Sequence, residues 1–524
     1  MPDALVSVAQ HYHSRTKYDP ETLASQARPL DYSRQPSPFK TYRVGTEVDL
    51  KPYLEDGSEA ATPAARVGLG AGDEAVDWMR LSRLLINTYG LTAKFPTVTG
   101  QAFYLRSAPS AGGLYPAEIY VISRGTRLLP AGLYNYQAHR HSLWRYWEDH
   151  VWQGLQEACF WHPTLEATHL AVVVTGVFDR SAWRYQDRAY RRICLDVGHL
   201  LGNLELASAI VDYRPHLIAS FADRALADLL YLDPAEEGAL AVLPLADLLT
   251  VEQNLPCAQV AFATPPQTQF SAVPDGELLT YFHQVTAIAP TADVPRWAMR
   301  PSDDTPRPGD TLEDKYNLPF GLRLPTDTAP IAWGPHLEDL ETTLFKRRST
   351  RRFSGQPISL AALRQLLDFT YQPHHYRDQG FDADPDYGDR RLVHTFVVAC
   401  GVEDLDDGCY YYAPRSEELR QVRFKNFRRE LHYLCLGQEL GRDAAAVVFH
   451  TADLAGAVAA YGDRVYRYLH LDAGHLGQRL NLAAVRLGLG VSGIGGFYDD
   501  QVNEVLGIPP DEAVIYITTL GQPG

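Results

Sequence analysis

RAYRRICLDVGHLLGNLELA, residues 188–207, aligns without gaps with RVYRYLHLDAGHLGQRLNLA, residues 464–483. The offset of 276 residues between positions 188 and 464 also relates GLYNY at 132–136 to GCYYY at 408–412. An internal repeat of this length predicts two similar folded units related by a pseudo-twofold axis, like a dimer written on one chain. The differences between the two copies are therefore the informative part of the sequence.

The composition bounds the class of protein. A chain of 524 residues exceeds what one hydrophobic core usually supports, which favours two domains. Hydrophobic residues make up 45% and charged residues 21%, an ordinary globular mixture. The net charge of −16 argues against nucleic acid or an anionic membrane as the main partner. No apolar run approaches the roughly 20 residues of a spanning helix, and no secretory signal is visible, so we expect a cytoplasmic protein.

The six cysteines show neither zinc-binding nor disulfide-framework spacing. This scatter favours buried free thiols of a cytosolic protein, and we expect no metal site. The six are Cys159, Cys194, Cys257, Cys400, Cys409 and Cys435.

Apolar periodicity predicts an α+β fold in each half. Residues 81–90 and 360–372 carry apolar residues at helical spacing, and the repeated LDxGHL segments are amphipathic helices. Residues 170–178 and 444–452 are continuous apolar runs that suit buried central strands. Each half is thus predicted to be a sheet flanked by helices.

The chain divides into a first domain at 1–245, an extended connection at 246–335 and a second domain at 336–524. The connection is rich in Pro, Thr and Asp and has few periodic apolar positions, which indicates a segment wrapping the surface. A faint echo of the start of the chain lies inside this connection, at the pairs His13/His283, Thr16/Thr286 and Pro20/Pro290.

Three motifs could carry chemistry. KRRSTRRFSG at 346–355 gathers five basic residues around a Ser-Thr pair, which suits a phosphate monoester, although a solvated basic turn is the ordinary alternative. GLGVSGIGGF at 488–497 and APSAGGLYPAEIYVI at 108–122 are thin, glycine-containing segments. Their backbone N–H groups could approach a flat ligand closely, whereas ordinary loops are the alternative for both.

Together these motifs resemble those of nitroreductase-like FMN flavoproteins, specifically the SagB-type dehydrogenase branch in a tandem, fused form. The segment at 11–42 and the helix motif YxDRxYRxxxLDxGHL are also similar to this branch, so the resemblance covers nearly the whole chain. It implies two nitroreductase-like domains, each a mostly antiparallel sheet flanked by helices, packed as an intrachain pseudo-dimer.

The resemblance also implies which residues hold FMN. In the family, the RRSxR segment grips the flavin phosphate and ribityl chain, the GIGG loop runs along the isoalloxazine edge, and the PSAGG turn comes from the opposite subunit. The corresponding residues here are Arg347, Arg348, Ser349 and Arg351, then Gly493, Ile494, Gly495 and Gly496, and finally Pro109, Ser110, Ala111, Gly112 and Gly113.

The two copies have kept different parts of this set. The first half has LIAS at 217–220 in place of GIGG, and ARVGLG at 65–70 where a phosphate grip is expected. The second half has PDYGDRRL at 385–392 in place of PSAGGLYP, with Asp386 and Asp389 expected to repel a flavin. One site, with its grip and GIGG from the second half and its PSAGG from the first, is therefore complete. We predict one FMN per chain.

Four residues of the repeated helices recur in both copies, and we interpret them as structural: Asp196, His199, Asp472 and His475. Arg184 and Tyr185 occupy the place of a Lys-Tyr pair in azoline-oxidising relatives, so the lysine is missing here. The second copy has Ala460 and Tyr461 at these positions. Tyr185 is a candidate proton donor or flavin cover, with Arg184 beside it.

Two classes of function follow. The first is an FMN-dependent oxidoreductase, in which the flavin carries the hydride chemistry. Such an enzyme would reduce a nitro compound or quinone with NAD(P)H, or would dehydrogenate a small-molecule or peptide-derived substrate. The second is a non-catalytic module that binds flavin or a peptide with the same fold. Neither class needs nucleic acid or a membrane as a partner. A second chain is not needed either, because the pseudo-dimer lies within one chain and can be monomeric.

Overall fold

The computed structural model describes residues 6–25, 29–54, 74–96, 102–250, 259–290, 297 and 312–524. The ARVGLG segment and Cys257 lie outside the described residues.

The first half consists of the following described helices and strands. Its helices are α1 Val8–Arg15, α2 Pro20–Ser25, α3 Glu74–Tyr89, α4 Trp152–Ala158, α5 Thr164–Ala167, α6 Phe178–Tyr185, α7 Ala189–Ile210 and α8 Asp223–Leu230. Its strands are β1 Thr46–Asp49, β2 Leu91–Pro96, β3 Ala102–Arg106, β4 Ala117–Ser123, β5 Gly132–Gln137, β6 Ser142–Trp147, β7 Leu170–Val177, β8 Tyr213–Pro215 and β9 Glu237–Asp247.

The second half repeats most of this order. Its helices are α9 Leu278–Val285, α10 Glu338–Lys346, α11 Leu360–Tyr371, α12 Arg428–Leu434, α13 Glu439–Asp443, α14 Leu454–Tyr461, α15 Val465–Arg486 and α16 Asp499–Leu506. Its strands are β10 Arg323–Pro325, β11 His394–Ala399, β12 Gly408–Ala413, β13 Glu418–Phe424, β14 Ala446–Asp453, β15 Gly490–Ile494 and β16 Glu512–Gly521.

Each half is built on a seven-stranded antiparallel sheet. The strand orders are β1-β6-β5-β4-β7-β9-β8 and β10-β13-β12-β11-β14-β16-β15, and the two orders correspond position by position. The runs at 170–178 and 444–452 supply β7 and β14, which pair on both sides and are almost wholly buried. The prediction of two α+β halves with antiparallel sheets is confirmed. A separate hairpin, β2–β3, belongs to the first half.

Side chains alternate between two cores along the central strands. In β4, Ile119 and Val121 pack into a large core shared by both halves, whereas Tyr120 and Ile122 pack into a smaller core that the first half forms with Phe262 and Trp297 of the connecting segment. This alternation is the two-residue period of a strand covered on both faces. The shared core explains why the halves are not independent globules.

The two long helices α7 and α15 cross at a pair of glycines. A Cβ on Gly198 would lie 2.2 Å from the carbonyl oxygen of Leu471 and 2.8 Å from the Cα of Gly474. A Cβ on Gly474 would lie 2.3 Å from the carbonyl oxygen of Leu195. Only glycine permits helix backbones to approach this closely. The repeated glycine of LDxGHL is therefore a packing residue of the pseudo-twofold axis.

The helices α1 and α9 occupy equivalent places across this axis. Tyr12 of α1 stacks on Phe282 of α9 with ring centroids 4.4 Å apart. His13 Nδ1 lies 3.0 Å from the Tyr466 hydroxyl, and His283 Nδ1 lies 3.0 Å from the Tyr190 hydroxyl. The faint sequence echo at His13/His283 thus corresponds to two structurally equivalent helices.

Buried ion pairs repeat on both sides of the axis. Asp499 accepts hydrogen bonds from Arg188 and Arg191 at 2.7 Å each. Its counterpart Asp223 accepts from Arg464 and Arg467 at 2.6 and 2.8 Å. Each carboxylate is matched by two guanidinium groups from the other half, which offsets the cost of burying the charge. Burial by itself would raise the pKa of each aspartate, but these arginines hold the pKa below its usual value.

The segment 246–335 contributes to the second sheet. Its described part includes α9 and the edge strand β10, which pairs with β13 as β1 pairs with β6. The proposed domain boundaries themselves stay a prediction.

The five cysteines of the described chain are free and buried, as expected: Cys159, Cys194, Cys400, Cys409 and Cys435. The helical stretch Phe178–Ile210 is long and apolar enough to cross a membrane, but 94% of its apolar window is buried inside the protein.

Replacing Gly198 with alanine should weaken the helix crossing, because the added Cβ would meet the Leu471 carbonyl. We expect the free energy of unfolding in urea to fall by about 2 kcal/mol or more. Gly154→Ala in α4 is the control, since its Cβ would meet only the end of the Leu229 side chain, at 3.0 Å. Equal stabilities of the two variants would contradict the tight crossing.

Candidate functional site

The PSAGG turn is anchored by an aspartate of α7. Asp196 accepts hydrogen bonds from the Ser110 hydroxyl at 2.5 Å and from the Ala111 N–H at 3.1 Å. Burial raises the pKa of Asp196 to about 7, because the charged form is disfavoured away from water. Gly112 and Gly113 follow with φ values of +68° and +67°, a left-handed conformation that favours glycine. The turn is thereby held with its backbone at the surface.

Arg347 reaches from the second half to the chain just before this turn. Its Nε donates to the Ser107 carbonyl at 2.6 Å, and its Nη2 donates to the Arg106 carbonyl at 3.2 Å. The side chain is only 2% exposed, yet its Nη1 has no hydrogen-bond partner among the described residues. The buried Ser107 hydroxyl is likewise without a partner there. Two buried polar groups at this contact between the halves are therefore left unsatisfied within the described chain.

The predicted phosphate grip is a cluster of like charges. Burial, together with the like charges of Arg348 and Arg351, lowers the pKa of Arg347 to about 10. Arg348 donates to the Thr92 carbonyl at 3.0 Å, which also links the grip to β2 of the first half. Arg351 is exposed and Ser349 is half-buried. No carboxylate of the described residues forms an ion pair with these three arginines.

The GIGG loop leaves β15 above a tyrosine of β16. A Cβ on Gly493 would lie 1.8 Å from the Tyr516 hydroxyl, so this position must be glycine. Tyr516 lies 3.1 Å from Nε2 of His199, whose Nδ1 is 2.7 Å from the Leu195 carbonyl. Burial lowers the pKa of His199 to about 4, so the ring is neutral, its Nδ1–H donates to the Leu195 carbonyl, and its Nε2 accepts a hydrogen bond from the Tyr516 hydroxyl. Ile494 is buried in the core of the second half, so its side chain faces away from the loop surface.

Tyr185 and Arg184 lie against the PSAGG turn. A Cβ on Gly112 would lie 2.7 Å from the Tyr185 hydroxyl and 3.4 Å from Arg184 Nη1. The guanidinium carbon of Arg192 lies 3.5 Å from the centre of the Tyr185 ring. Arg192 also donates to the Gly495 carbonyl at 3.1 Å, so it joins Tyr185 of the first half to the GIGG loop of the second.

The structure thus brings the three predicted motifs together around contacts between the halves. Arg347 touches the strand before PSAGG, and Arg192 links the PSAGG side to GIGG. Two residues of this arrangement, Arg192 and Tyr516, were missed by sequence reasoning. A signal existed for both, because Tyr468 stands at the counterpart of Arg192 and Ala241, which pairs with β7 as Tyr516 pairs with β14, stands at the counterpart of Tyr516.

The second pseudo-site, at PDYGD and LIAS, has the same framework. Asp472 accepts from the N–H groups of Gly388 and Asp389 at 2.8 and 2.9 Å, as Asp196 does at the first turn. The Tyr461 hydroxyl donates to the Asp389 carboxylate at 2.9 Å. The structural reading of Asp196 and Asp472 therefore agrees with these contacts in both halves.

Large side chains take the equivalent positions at the second pseudo-site. The Tyr387 ring, at the position of Ala111, stacks on His475 at 4.5 Å. The hydroxyl of Tyr468, at the position of Arg192, lies 3.1 Å from the Ser220 hydroxyl of LIAS. Two tyrosine rings therefore stand here where the first pseudo-site has the side chains of an alanine and an arginine.

The acidic residues of PDYGD are paired rather than free to repel a ligand. Asp386 accepts from Arg214 at 3.0 Å and from the Leu217 N–H at 2.9 Å. Asp389 forms an ion pair with Arg391 at 2.6 Å. The two carboxylates that we expected to repel a flavin are therefore already paired, Asp386 with Arg214 of the other half and Asp389 with Arg391 of its own half.

One group of possible metal ligands exists in the described chain. Atoms of Asp368, His375 and Glu417 lie within 4.8 Å of one another. Both oxygens of Asp368 are already engaged, by His375 Nδ1 at 2.6 Å and by the Tyr376 hydroxyl at 2.7 Å. Hydrogen bonding within the protein accounts for this cluster.

The sequence matches the model of the nitroreductase family over residues 73–246 and 344–522. The chain belongs to the nitroreductase family. The two matched regions correspond to the two sheets and their long helices, so the family fold occurs twice in tandem. The resemblance stated from the motifs is confirmed at this level.

Several nitroreductase-family relatives are similar to the chain. The crystal structure of a putative nitroreductase from Anabaena variabilis is 62% identical, covers 99% of this chain and 100% of its own, and superposes with a TM-score of 0.91. The putative nitroreductase MJ1384 of Methanocaldococcus jannaschii is 32% identical over 176 residues, 33% of this chain and 88% of that protein. The trifolitoxin-processing protein TfxB of Rhizobium leguminosarum is 31% identical over 150 residues, 26% of this chain but only 39% of TfxB.

Replacing Asp386 with asparagine should destabilise the protein, because buried Arg214 loses one of its carboxylates. We expect a loss of about 2 kcal/mol or more at neutral pH, measured by urea denaturation. The control is Asp228→Asn, which breaks the exposed Arg224 pair and should cost about 0–1 kcal/mol.

The Asp386 effect should also depend on pH. Burial by itself would raise the pKa of Asp386, but the Arg214 guanidinium holds this pKa below its usual value. The stabilisation is therefore present above the ordinary aspartate pKa of about 3.9 and is lost as the pH falls through the lower folded value. The ion pair would be contradicted if the difference in free energy of unfolding between wild type and variant persisted unchanged at a pH below the folded pKa of Asp386.

Proposed function

We propose that the chain is an FMN-dependent oxidoreductase with one composite flavin site between its halves. The observation that carries the proposal is the arginine cluster of Arg347, Arg348 and Arg351, which lacks a carboxylate partner among the described residues. A buried guanidinium N–H without a partner is costly unless an anion completes it. A phosphate monoester supplies several acceptor oxygens of the required charge.

The residues present fit such a group. Arg347 Nη1, the Ser107 hydroxyl, Ser349 and Arg351 would hold the phosphate and the polar chain attached to it. The flat ring would lie against backbone of the two thin segments, where the glycines 112, 113, 493, 495 and 496 leave no side chains. Pro109, Ser110 and Ala111 complete the first-half wall, and Ile494 supplies backbone only.

Flavin would supply the hydride transfer, and the protein would supply binding, orientation and exclusion of water. Tyr185 is the candidate proton donor or cover, because its hydroxyl lies beside Gly112 on the proposed flavin wall. Arg184 cannot replace the lysine of azoline-oxidising relatives as a base, because a guanidinium stays protonated at neutral pH. This favours reduction of an acceptor with NAD(P)H over removal of a proton from an azoline.

The similarity to TfxB, a processing protein for trifolitoxin, keeps a peptide-derived substrate as a candidate. A non-catalytic module that binds flavin or a peptide is the alternative function. The two classes differ in one measurable property, because only an enzyme must pass electrons between its bound flavin and a second molecule.

One FMN should be released per polypeptide. The protein is saturated with FMN, freed of unbound cofactor and denatured, and the flavin absorbance is compared with the protein concentration. Release of two FMN per polypeptide would contradict the single composite site. Release of no FMN at all would contradict the cofactor assignment.

Arg351→Gln should weaken FMN binding about tenfold, because one charge-assisted contact to the phosphate is lost. Arg352→Gln is the matched control, since Arg352 is equally exposed but its charge acts on Asp443. Dissociation constants from flavin fluorescence quenching decide between them. The phosphate grip would be misplaced if both variants bound FMN equally well.

Anaerobic addition of NAD(P)H to the FMN-loaded protein should bleach the flavin absorbance near 450 nm within seconds. This time follows from the turnover rate constants of enzymes, which are typically about 1–1000 per second. Nitro compounds or quinones should then restore the colour. A flavin that is reduced by dithionite but by neither nicotinamide donor nor candidate substrate would favour the binding module.

A further inference from the structure

Two guanidinium groups flank the ring of Tyr185. Arg192 lies 3.5 Å from the ring centre and Arg184 lies 5.5 Å from it. Arg184 is exposed and stands over Gly112, whereas Arg192 is only 6% exposed and touches the GIGG loop. The two positive charges therefore lie on the same tyrosine ring, one exposed beside the PSAGG turn and one buried against the GIGG loop.

Neither arginine is neutralised by an ion pair with a described residue. Arg192 Nη2 donates to the Gly495 carbonyl, but its Nε is buried without a hydrogen-bond partner. Asp196, a nearby acid, is occupied by Ser110 and Ala111. Other buried arginines of the two long helices and their starts are matched by carboxylates, namely Arg188, Arg191, Arg464, Arg467 and Arg479.

The second half provides an internal comparison. At the repeat offset, Ala460 replaces Arg184 and Tyr468 replaces Arg192. Both charges are thus absent from the second pseudo-site, although Tyr185 itself is kept as Tyr461. The packing framework does not require the two arginines, so their presence is specific to the composite site.

We propose that Arg184 and Arg192 form an anion-binding mouth, so that the composite site takes a small molecule carrying a carboxylate or phosphate. The proposal rests on the proposed flavin function. Guanidinium forks match the oxygens of such groups, and the Tyr185 ring against which they lie fixes their position. The chain has a net charge of −16, so its overall electrostatic potential repels anions. A local positive mouth would attract them to this one place.

The test compares a charged and a neutral acceptor of similar shape, and the change of their rate ratio between wild type and variant is the readout. The FMN-loaded protein is photoreduced without oxygen, and its reoxidation by 4-nitrobenzoate and by 4-nitrobenzamide is followed. We expect about tenfold faster reoxidation by the anion at low salt, a preference that shrinks as salt screens the charges. Arg184→Ala, which copies Ala460, should lower this ratio about tenfold, whereas Arg224→Ala, another exposed arginine, should not.

A second arm identifies the source of the anion. If Arg184→Ala instead slows flavin reduction by NADPH and leaves the nitrobenzoate ratio unchanged, the mouth binds the phosphates of the donor. Either result supports an anion-binding mouth. Equal behaviour of wild type and variant in both arms overturns it.

Binding without turnover separates this proposal from the flavin proposal. Calorimetric titration of the oxidised, FMN-loaded protein with benzoate should show tighter binding than titration with benzamide. Arg192→Tyr, which copies Tyr468, should remove this difference, and Arg192→Lys should keep part of it. If FMN is bound at one per chain and benzoate binds no better than benzamide, only the anion mouth fails. If no FMN is bound, the proposed function fails.

Discussion

The close crossing of α7 and α15 at Gly198 and Gly474 is the constraint on which the rest of the structure depends. Backbone contact there sets the distance between the halves, and every cross-half contact is made at that distance. The buried Arg-Asp clusters at Asp223 and Asp499 work only if their partners arrive in register from the other half. Because these charges are desolvated, a shift of the halves would leave them unpaired at a cost of several kcal/mol.

The same crossing places two sets of equivalent motifs at the contact between the halves, and their contacts differ. Near Gly112 and Gly495 the backbone is thin, and Arg192 and Arg347 reach across the halves to backbone carbonyls. In the other set, the equivalent positions carry Tyr387 and Tyr468, and Asp386 binds Arg214 across the halves. Fusion into one chain permits this division, because substitutions in a homodimer would alter both sites at once.

Much of this could be read from the sequence, for identifiable reasons. Helix and strand periodicity predicted the elements, and the 276-residue offset predicted two similar sheets. Thin glycine segments and the arginine run also pointed to backbone-lined and anion-binding surfaces. The pairing of Asp386 was not foreseen, because this residue looks like a free charge until Arg214, distant in sequence, is placed beside it.

The sequence by itself determined the duplication, the family and the motifs that differ between the copies, because those signals are local patterns or direct alignments. Only the tertiary structure decided that Gly198 is a helix-crossing residue, that Arg192 joins Tyr185 to Gly495, and that Asp386 pairs with Arg214 of the other half. These roles belong to pairs of residues hundreds of positions apart. Such contacts exist only when two folded halves are packed together, so no local pattern of either half records them.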